Sequence, residues 1–137
     1  MNAPGILLDT GPLVAFLSRT DSHHSRAMSL FSSCEAPFRT CEAVLTEACF
    51  LMQKVHPNGA ADVVGLSRAG LYEVALSVRD QSAAIEALLR KYANKGISLA
   101  DASLIRCAEL YADPRILTFD SDFKVYRWAR RKSFQIL

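Results

Sequence analysis

Three consecutive bulky apolar residues, Ile6 to Leu8, precede an aspartate near the start of the chain. An apolar run without polar alternation predicts a strand that is covered on both faces, which is typical of a parallel sheet. The following Thr10-Gly11-Pro12 predicts a turn into a helix, because proline is tolerated in a first helical turn. The start of the chain therefore predicts a strand that leads directly into a helix, as in α/β folds.

Strand and helix patterns alternate along the rest of the chain. Short apolar runs predict strands at 5–9, 71–78, 115–119 and 134–137. Apolar residues at helical spacing predict helices after Thr10 and at 22–33, 40–55 with Thr40 as its cap, 58–68, 80–93 and 98–113, and a helical turn through Trp128. This alternation predicts an α/β fold in which helices cover a parallel sheet on both sides.

Size and composition exclude several classes of protein. The 137 residues suit one domain over 1–137, and a chain that is 50% hydrophobic and 22% charged is not disordered. No apolar run reaches the roughly 20 residues of a membrane span, and the first residues lack the basic start of a secretory signal. The cysteines form no C-x-x-C pair and do not stand at zinc-finger spacing from the histidines. We therefore expect a cytoplasmic protein with reduced cysteines, no zinc and no membrane contact.

Three carboxylates stand alone in apolar surroundings. Asp9 is the only charged residue from Met1 to Ser18, and Glu47 and Asp101 are each the only charged residue within an apolar stretch of their own. A carboxylate in a low-dielectric environment costs several kcal/mol unless it is paired, hydrogen-bonded or bound to a metal. A single acid of this kind is commonly a helix cap or faces water. For three such acids in one chain, a common structural role becomes the better explanation.

A common metal site is one explanation. Asp9 and Asp120 each follow a predicted strand, and open α/β sheets place their sites at the carboxyl ends of strands. Glu47 and Asp101 lie on predicted helices that can pack against this edge. Four converging carboxylates raise one another's pKa unless a cation lies between them, and oxygen ligands alone favour Mg²⁺ or Mn²⁺. One or two such ions, about 4 Å apart when paired, activate water for attack on phosphorus, which predicts phosphodiester hydrolysis.

Four short motifs then follow one another in a recognisable order. They are Leu7-Leu-Asp-Thr-Gly-Pro-Leu-Val14, Glu42-Ala-Val-Leu-Thr-Glu47-Ala, Leu99-Ala-Asp101-Ala-Ser and Leu117-Thr-Phe-Asp120-Ser-Asp-Phe123. In order, spacing and context they resemble the PIN-domain ribonucleases, and most closely the VapC-type toxins of toxin-antitoxin pairs, over essentially the whole chain. The resemblance implies a three-layer α/β/α sandwich with a mainly parallel sheet. It also implies a Mg²⁺- or Mn²⁺-dependent cleavage of RNA that leaves a 5′-phosphate and a 3′-hydroxyl.

The resemblance also implies roles for residues and partners. It assigns the catalytic and metal-binding site to Asp9, Glu47, Asp101 and Asp120. Asp122 substitutes for or assists Asp120 in this interpretation. Thr10 occupies a hydroxyl position of the family, from which it orients Asp9 or a bound water, and an alternative interpretation makes it a helix N-cap. The implied partners are an RNA substrate, a second copy in a homodimer and a cognate antitoxin whose tail occludes the site.

Basic residues concentrate near the end of the chain. Residues 1–123 carry 11 basic and 14 acidic side chains, whereas five cations follow. These are Lys124, Arg127, Arg130, Arg131 and Lys132. In a helical turn, Arg127, Arg130 and Arg131 would share one face. Tyr126 and Trp128 would lie between them, which suits RNA binding. A solvated end of the chain with Trp128 in the core is the alternative.

Other protein classes share parts of this pattern. Asp9-Thr10-Gly11 also resembles the motif of aspartic proteases, but that fold is almost entirely β and leaves Glu47 and Asp101 unexplained. A phosphatase of the haloacid-dehalogenase type needs a second aspartate where Gly11 stands. The remaining alternative is a PIN-like module that binds RNA or a protein without cutting, although the presence of all four acids argues against a degenerate site.

Overall fold

A sheet of five short parallel strands forms the centre of the computed structural model, which describes residues 1–137. The strands of the chain are β1 (Leu7–Leu8), β2 (Phe38–Thr40), β3 (Tyr72–Val74), β4 (Arg115–Leu117), β5 (Arg127–Trp128), β6 (Lys132–Ser133) and β7 (Gln135–Ile136). The order in the large sheet is β3-β2-β1-β4-β7, with every pairing parallel. Strands β5 and β6 form a separate antiparallel hairpin.

Six helices connect the strands. They are α1 (Thr10–Leu17), α2 (His24–Ser32), α3 (Glu42–Val55), α4 (Gly59–Arg68), α5 (Ser82–Lys91) and α6 (Leu99–Tyr111), with 3₁₀ turns at Ala93–Lys95 and Ser121–Lys124. Because crossovers between parallel strands are right-handed, this strand order places α1 to α4 on one face of the sheet and α5 and α6 on the other. The three-layer α/β/α sandwich expected from the sequence is confirmed.

The central strands are buried because both faces of the sheet carry helices. Ile6, Leu7 and Leu8 are at most 1% exposed, which agrees with their continuous apolar pattern. Helix α6 packs against β1, β2 and α3, and its residues 100–105 are all buried. Asp101, in the first turn of α6, is one of these buried residues.

The sequence pattern misses one strand and makes another too long. Phe38–Thr40 is a strand between β1 and β3 in the sheet, so the prediction of Thr40 as a helix cap is wrong. The Thr40 hydroxyl donates a 2.8 Å hydrogen bond to the Leu8 carbonyl, and Cys41 takes the cap position of α3. The strand predicted over 71–78 ends at Val74, since the register of β3 with β2 runs only from Phe38 to Thr40.

The helical turn predicted through Trp128 is also wrong. The 3₁₀ turn ends at Lys124, and the chain then forms the β5–β6 hairpin. Trp128 is 8% exposed and belongs to the hydrophobic core, as the alternative interpretation has it. Its indole Nε1 donates a 3.1 Å hydrogen bond to the Ser133 carbonyl, which fixes the hairpin against the core. The last predicted strand is confirmed, because β7 pairs with β4.

The surroundings of the cysteines agree with their apolar sequence context. All four are free thiols, and Cys34, Cys41 and Cys107 are buried. Burial raises the pKa of Cys41 to about 11 and the pKa of Cys107 to about 12, so both remain protonated near neutral pH.

None of the helices combines the length and the apolar character that are needed to cross a membrane.

Candidate active site

Three carboxylates from distant parts of the chain meet at the carboxyl edge of the sheet. Carboxylate oxygens of Asp9, Asp101 and Asp120 lie within 4.8 Å of one another. Asp9 follows β1, Asp120 lies three residues beyond β4, and Asp101 is in the first turn of α6. Strands β1 and β4 are neighbours, and β1 lies where the chain order in the sheet reverses. Open α/β sheets bind their ligands at this kind of reversal.

The other two acids named from the sequence border the same cavity without joining this close group. Asp9, Glu47, Asp101, Asp120 and Asp122 all line a cavity of about 450 Å³. Glu47 is exposed on α3, and its Oε2 accepts a 2.8 Å hydrogen bond from the Thr10 hydroxyl. The backbone N–H of Asp122 donates to Asp120 Oδ1 at 2.8 Å. Asp120 is therefore the member of the close group, and Asp122 stands beside it at the cavity wall.

Asp9 is held in place by two hydrogen bonds in a buried position. Its side chain accepts the backbone N–H of Thr10 at 2.8 Å and the hydroxyl of Thr118 at 2.6 Å. Burial raises the pKa of Asp9, and the charges of Asp120 and Glu47 raise it further, while the two hydrogen bonds oppose this change. The two hydrogen bonds thus fix the orientation of the carboxylate, while burial and the neighbouring acids oppose its charged form.

Asp101 is also in surroundings that oppose its charged form. Ser98 is the N-cap of α6, and its hydroxyl accepts the N–H of Asp101 at 3.0 Å, which fixes the backbone of this turn. Burial raises the pKa of Asp101 to about 7, with the charges of Asp9 and Asp120 as further causes. The hydroxyl of Tyr126, a residue only 1% exposed, donates to Asp101 Oδ2 at 3.4 Å.

The set of donors in the cavity fits a hard divalent cation. Its lining has several carboxylates and hydroxyls but neither histidine nor cysteine. Carboxylates that raise one another's pKa are stabilised in their charged form by a cation between them. Oxygen ligands alone are the preference of Mg²⁺ and Mn²⁺. Asp9, Asp101 and Asp120 are the residues that would hold such an ion, and Glu47 and Asp122 line the same cavity.

Comparison with known proteins agrees with this architecture. The family model of the PIN domain matches residues 6–129. The chain belongs to the PIN domain family. Among solved structures, VapC20 of Mycobacterium tuberculosis, described as a toxin that cleaves the sarcin-ricin loop, matches with a TM-score of 0.77 and 19% identity over 88% of this chain and 94% of that chain. This likeness shows a shared fold, and no curated protein matches the sequence.

Thr10 of this PIN domain has a different role from those that the sequence indicates, and two further residues contact the acids. Thr10 is not the N-cap of α1, because Asp9 takes that position and accepts the Thr10 N–H. The Thr10 hydroxyl orients Glu47 and not Asp9. Thr118 contacts Asp9 directly, and its place at the end of a strand beside β1 is the signal that points to it. Tyr126 is 1% exposed, so the prediction that it lies among the arginines for RNA binding is wrong. No local pattern indicates its contact with Asp101, because that contact depends on how the last part of the chain folds back.

The three arginines near the end of the PIN domain do not form one helical face. Arg127 Nη1 donates to the carbonyls of Lys124, Val125 and Tyr126 at 2.9 to 3.1 Å, so its guanidinium orders the loop beside the cavity. Arg130 and Arg131 are exposed at the tip of the β5–β6 hairpin. The shared face predicted for the three guanidinium groups is therefore wrong.

Proposed function

We propose that this PIN domain is a metal-dependent endoribonuclease and the toxin of a toxin-antitoxin pair. The observation that carries the proposal is the close group of Asp9, Asp101 and Asp120, with their oxygens within 4.8 Å of one another. Hydrolytic enzymes that act on phosphodiesters use such carboxylates to hold divalent cations. The description of VapC20 as a toxin that cleaves an RNA loop supports RNA as the substrate.

In this proposal, some residues of the cavity hold the metal ion and others orient those ligands. Asp9, Asp101 and Asp120 hold Mg²⁺ or Mn²⁺, which when bound polarises a phosphate oxygen and lowers the pKa of water. Thr118 orients Asp9, and Tyr126 orients Asp101. These contacts hold the ligands in position before the substrate binds, which is what a preorganised metal site requires.

Glu47 would act from the rim of the cavity. The Thr10 hydroxyl holds one of its carboxylate oxygens, and the exposed side chain leaves the other oxygen free to face the substrate. We assign it the role of positioning the attacking water or accepting its proton. Attack of water on phosphorus with departure of the 3′ oxygen leaves a 5′-phosphate and a 3′-hydroxyl.

Substrate and protein partners are part of the same proposal. Arg130 and Arg131 are exposed and would contact the RNA backbone, while Arg127 contributes by ordering the preceding loop. We also propose a homodimer and a cognate antitoxin. Exposed apolar side chains on α3 and α4, Phe50 and Val64 at 58% each, support contact with protein partners. Sedimentation of the isolated chain measures the oligomeric state.

The decisive experiment is cleavage of a structured RNA. The wild-type protein should cleave it with Mg²⁺ or Mn²⁺ and lose activity in EDTA, and the products should carry 5′-phosphates. Asp9→Asn and Asp101→Asn should be inactive. Asp62→Asn is a matched control, because Asp62 is a half-exposed acid on α4 whose side chain pairs with His56. Activity that survives in both site variants would refute the assigned roles.

The same proteins also test the alternative, a PIN-like module that binds RNA or a protein without cutting it. Calorimetric titration with Mn²⁺ should show binding by the wild-type protein that Asp9→Asn removes. Binding of metal and RNA without any cleavage, under conditions in which the protein is folded, would favour that alternative.

A further inference from the structure

Phe119 brings an aromatic ring to the cavity that holds the acids. It lies between Thr118 and Asp120 and is partly exposed at the cavity lining. Two side chains from the start of α2 pack on this ring. The centroid of the His23 imidazole is 4.9 Å from that of Phe119, and Arg26 Cζ lies 4.8 Å from the same centroid. Phe119, His23 and Arg26 form what we term the aromatic cluster.

The fold itself does not account for the two exposed members of the aromatic cluster. His23 is the residue before α2, but its side chain makes no capping hydrogen bond there. The neighbouring His24 has the structural contact, since its Nδ1 is 2.6 Å from the Ala15 carbonyl on α1. Arg26 takes part in none of the salt bridges of the chain. Both side chains are exposed, and both pack on a ring that lines the cavity.

We propose that the aromatic cluster is a subsite that stacks an unpaired RNA base beside the phosphate that is cleaved. The inference rests on the proposed ribonuclease function and names its substrate class. In the proposed reaction, the phosphate that is cleaved binds at the carboxylates of the cavity. Phe119 is next to this position, because it directly precedes Asp120 in the chain. Because Phe119 lines the same cavity as the acids, a base attached to that phosphate is within reach of the cluster. Proteins read single-stranded RNA by stacking its bases on aromatic rings and on guanidinium planes.

This subsite selects for structure more than for sequence. Every base has a π face, so stacking on Phe119 and His23 tolerates all four bases. A base within a duplex is already stacked on its neighbours and cannot reach the cluster. The positive charge of Arg26 attracts the RNA backbone toward a cavity whose own carboxylates repel it. The expected substrate is therefore an exposed nucleotide in a loop or bulge, and not a paired region.

The test is steady-state cleavage of an RNA hairpin that carries either a normal or an abasic nucleotide at one loop position at a time. At the position that enters the subsite, loss of the base should raise the KM of the wild-type protein. His23→Ala should raise the KM for the normal RNA by about fivefold or more, because stacking contributes 1–3 kcal/mol per base, with kcat nearly unchanged. His23→Phe should restore the wild-type KM. His56→Ala is the matched control, since His56 lies outside the cavity lining.

A second readout does not depend on cleavage. The same hairpin with 2-aminopurine in the loop should lose fluorescence when it binds the wild-type protein in EDTA, and this quenching should be weaker with His23→Ala and Phe119→Leu. Wild-type KM and wild-type quenching in these variants would overturn the subsite while leaving the ribonuclease intact. Quenching without cleavage in Mg²⁺ or Mn²⁺ would support the subsite and contradict the proposed activity. Neither quenching nor cleavage would overturn both.

Discussion

The hydroxyl of Thr118 donates a 2.6 Å hydrogen bond to Asp9, although 109 residues separate the two in the sequence. The same hydroxyl accepts the backbone N–H of Asp120 at 3.0 Å. One buried side chain thus links the carboxylate of Asp9 to the backbone of Asp120, whose carboxylate belongs to the same close group. Because β1 and β4 are adjacent parallel strands, the sheet itself sets the distance between these residues. The geometry of the candidate metal site is therefore built into the core of the fold.

Replacement of Thr118 tests this link. Thr118→Val keeps the shape of the side chain but removes the hydroxyl, so Asp9 loses its shortest hydrogen bond. Contacts that orient metal ligands are worth about 10- to 100-fold in metal affinity or activity. We expect a loss of that order in Mn²⁺ affinity by calorimetry and in RNA cleavage, and near-complete recovery with Thr118→Ser. Equal Mn²⁺ affinity in Thr118→Val and the wild type would show that the hydrogen bond does not position the ligand.

Calorimetric titration with Mn²⁺ also shows whether Asp120 or Asp122 contributes more to metal binding. Asp120 belongs to the close group, whereas Asp122 reaches it through a backbone N–H that its replacement leaves intact. We expect Asp122→Asn to weaken Mn²⁺ binding by no more than the roughly 10- to 100-fold typical of residues that surround the ligands, and Asp120→Asn to weaken it further. Thermal melts of both variants in EDTA serve as the control for folding. The reverse ranking would assign the ligand role to Asp122.

The acids were predictable from the sequence because each had a local signal. Asp9 and Asp120 follow apolar strands, and Glu47 and Asp101 are each the only charged residue in an apolar stretch. The residues that orient them had none, since the contact of Tyr126 with Asp101 depends on how distant segments pack. The hairpin after Tyr126 was missed for a different reason. Its turn places Ala129 and Arg130 at φ values of 46° and 74°. Glycine and asparagine are the usual residues in this conformation, so alanine and arginine at these positions do not predict a turn.

The stability of the metal-free protein should depend on pH through Asp101. Burial and the facing carboxylates raise its pKa from 3.8 to about 7 in the folded protein. A folded state that binds this proton more tightly is favoured at low pH, so the contribution is complete below about 3.8 and is lost as pH rises to about 7. Asp101→Asn removes the titration. We expect the variant to gain stability relative to wild type between pH 4 and pH 7 in EDTA, as measured by urea unfolding. A difference that stays constant over this range would contradict the assignment.

The contact between α3 and α4 should be sensitive to a single methyl group at Gly59. A Cβ at this first residue of α4 would collide with the backbone carbonyl of Met52 on α3, which is fully buried and cannot move aside. Overpacking of this kind costs about 1–3 kcal/mol, so Gly59→Ala should lower the free energy of unfolding by that amount. Gly65→Ala introduces the same methyl group on the same helix, where no atom lies within 4 Å of the added Cβ. It should stabilise the protein by up to about 1 kcal/mol, because alanine favours the helix more than glycine does. Urea unfolding of the two variants separates the packing effect from helix propensity, and equal changes in both would exclude close packing at Gly59 as the cause.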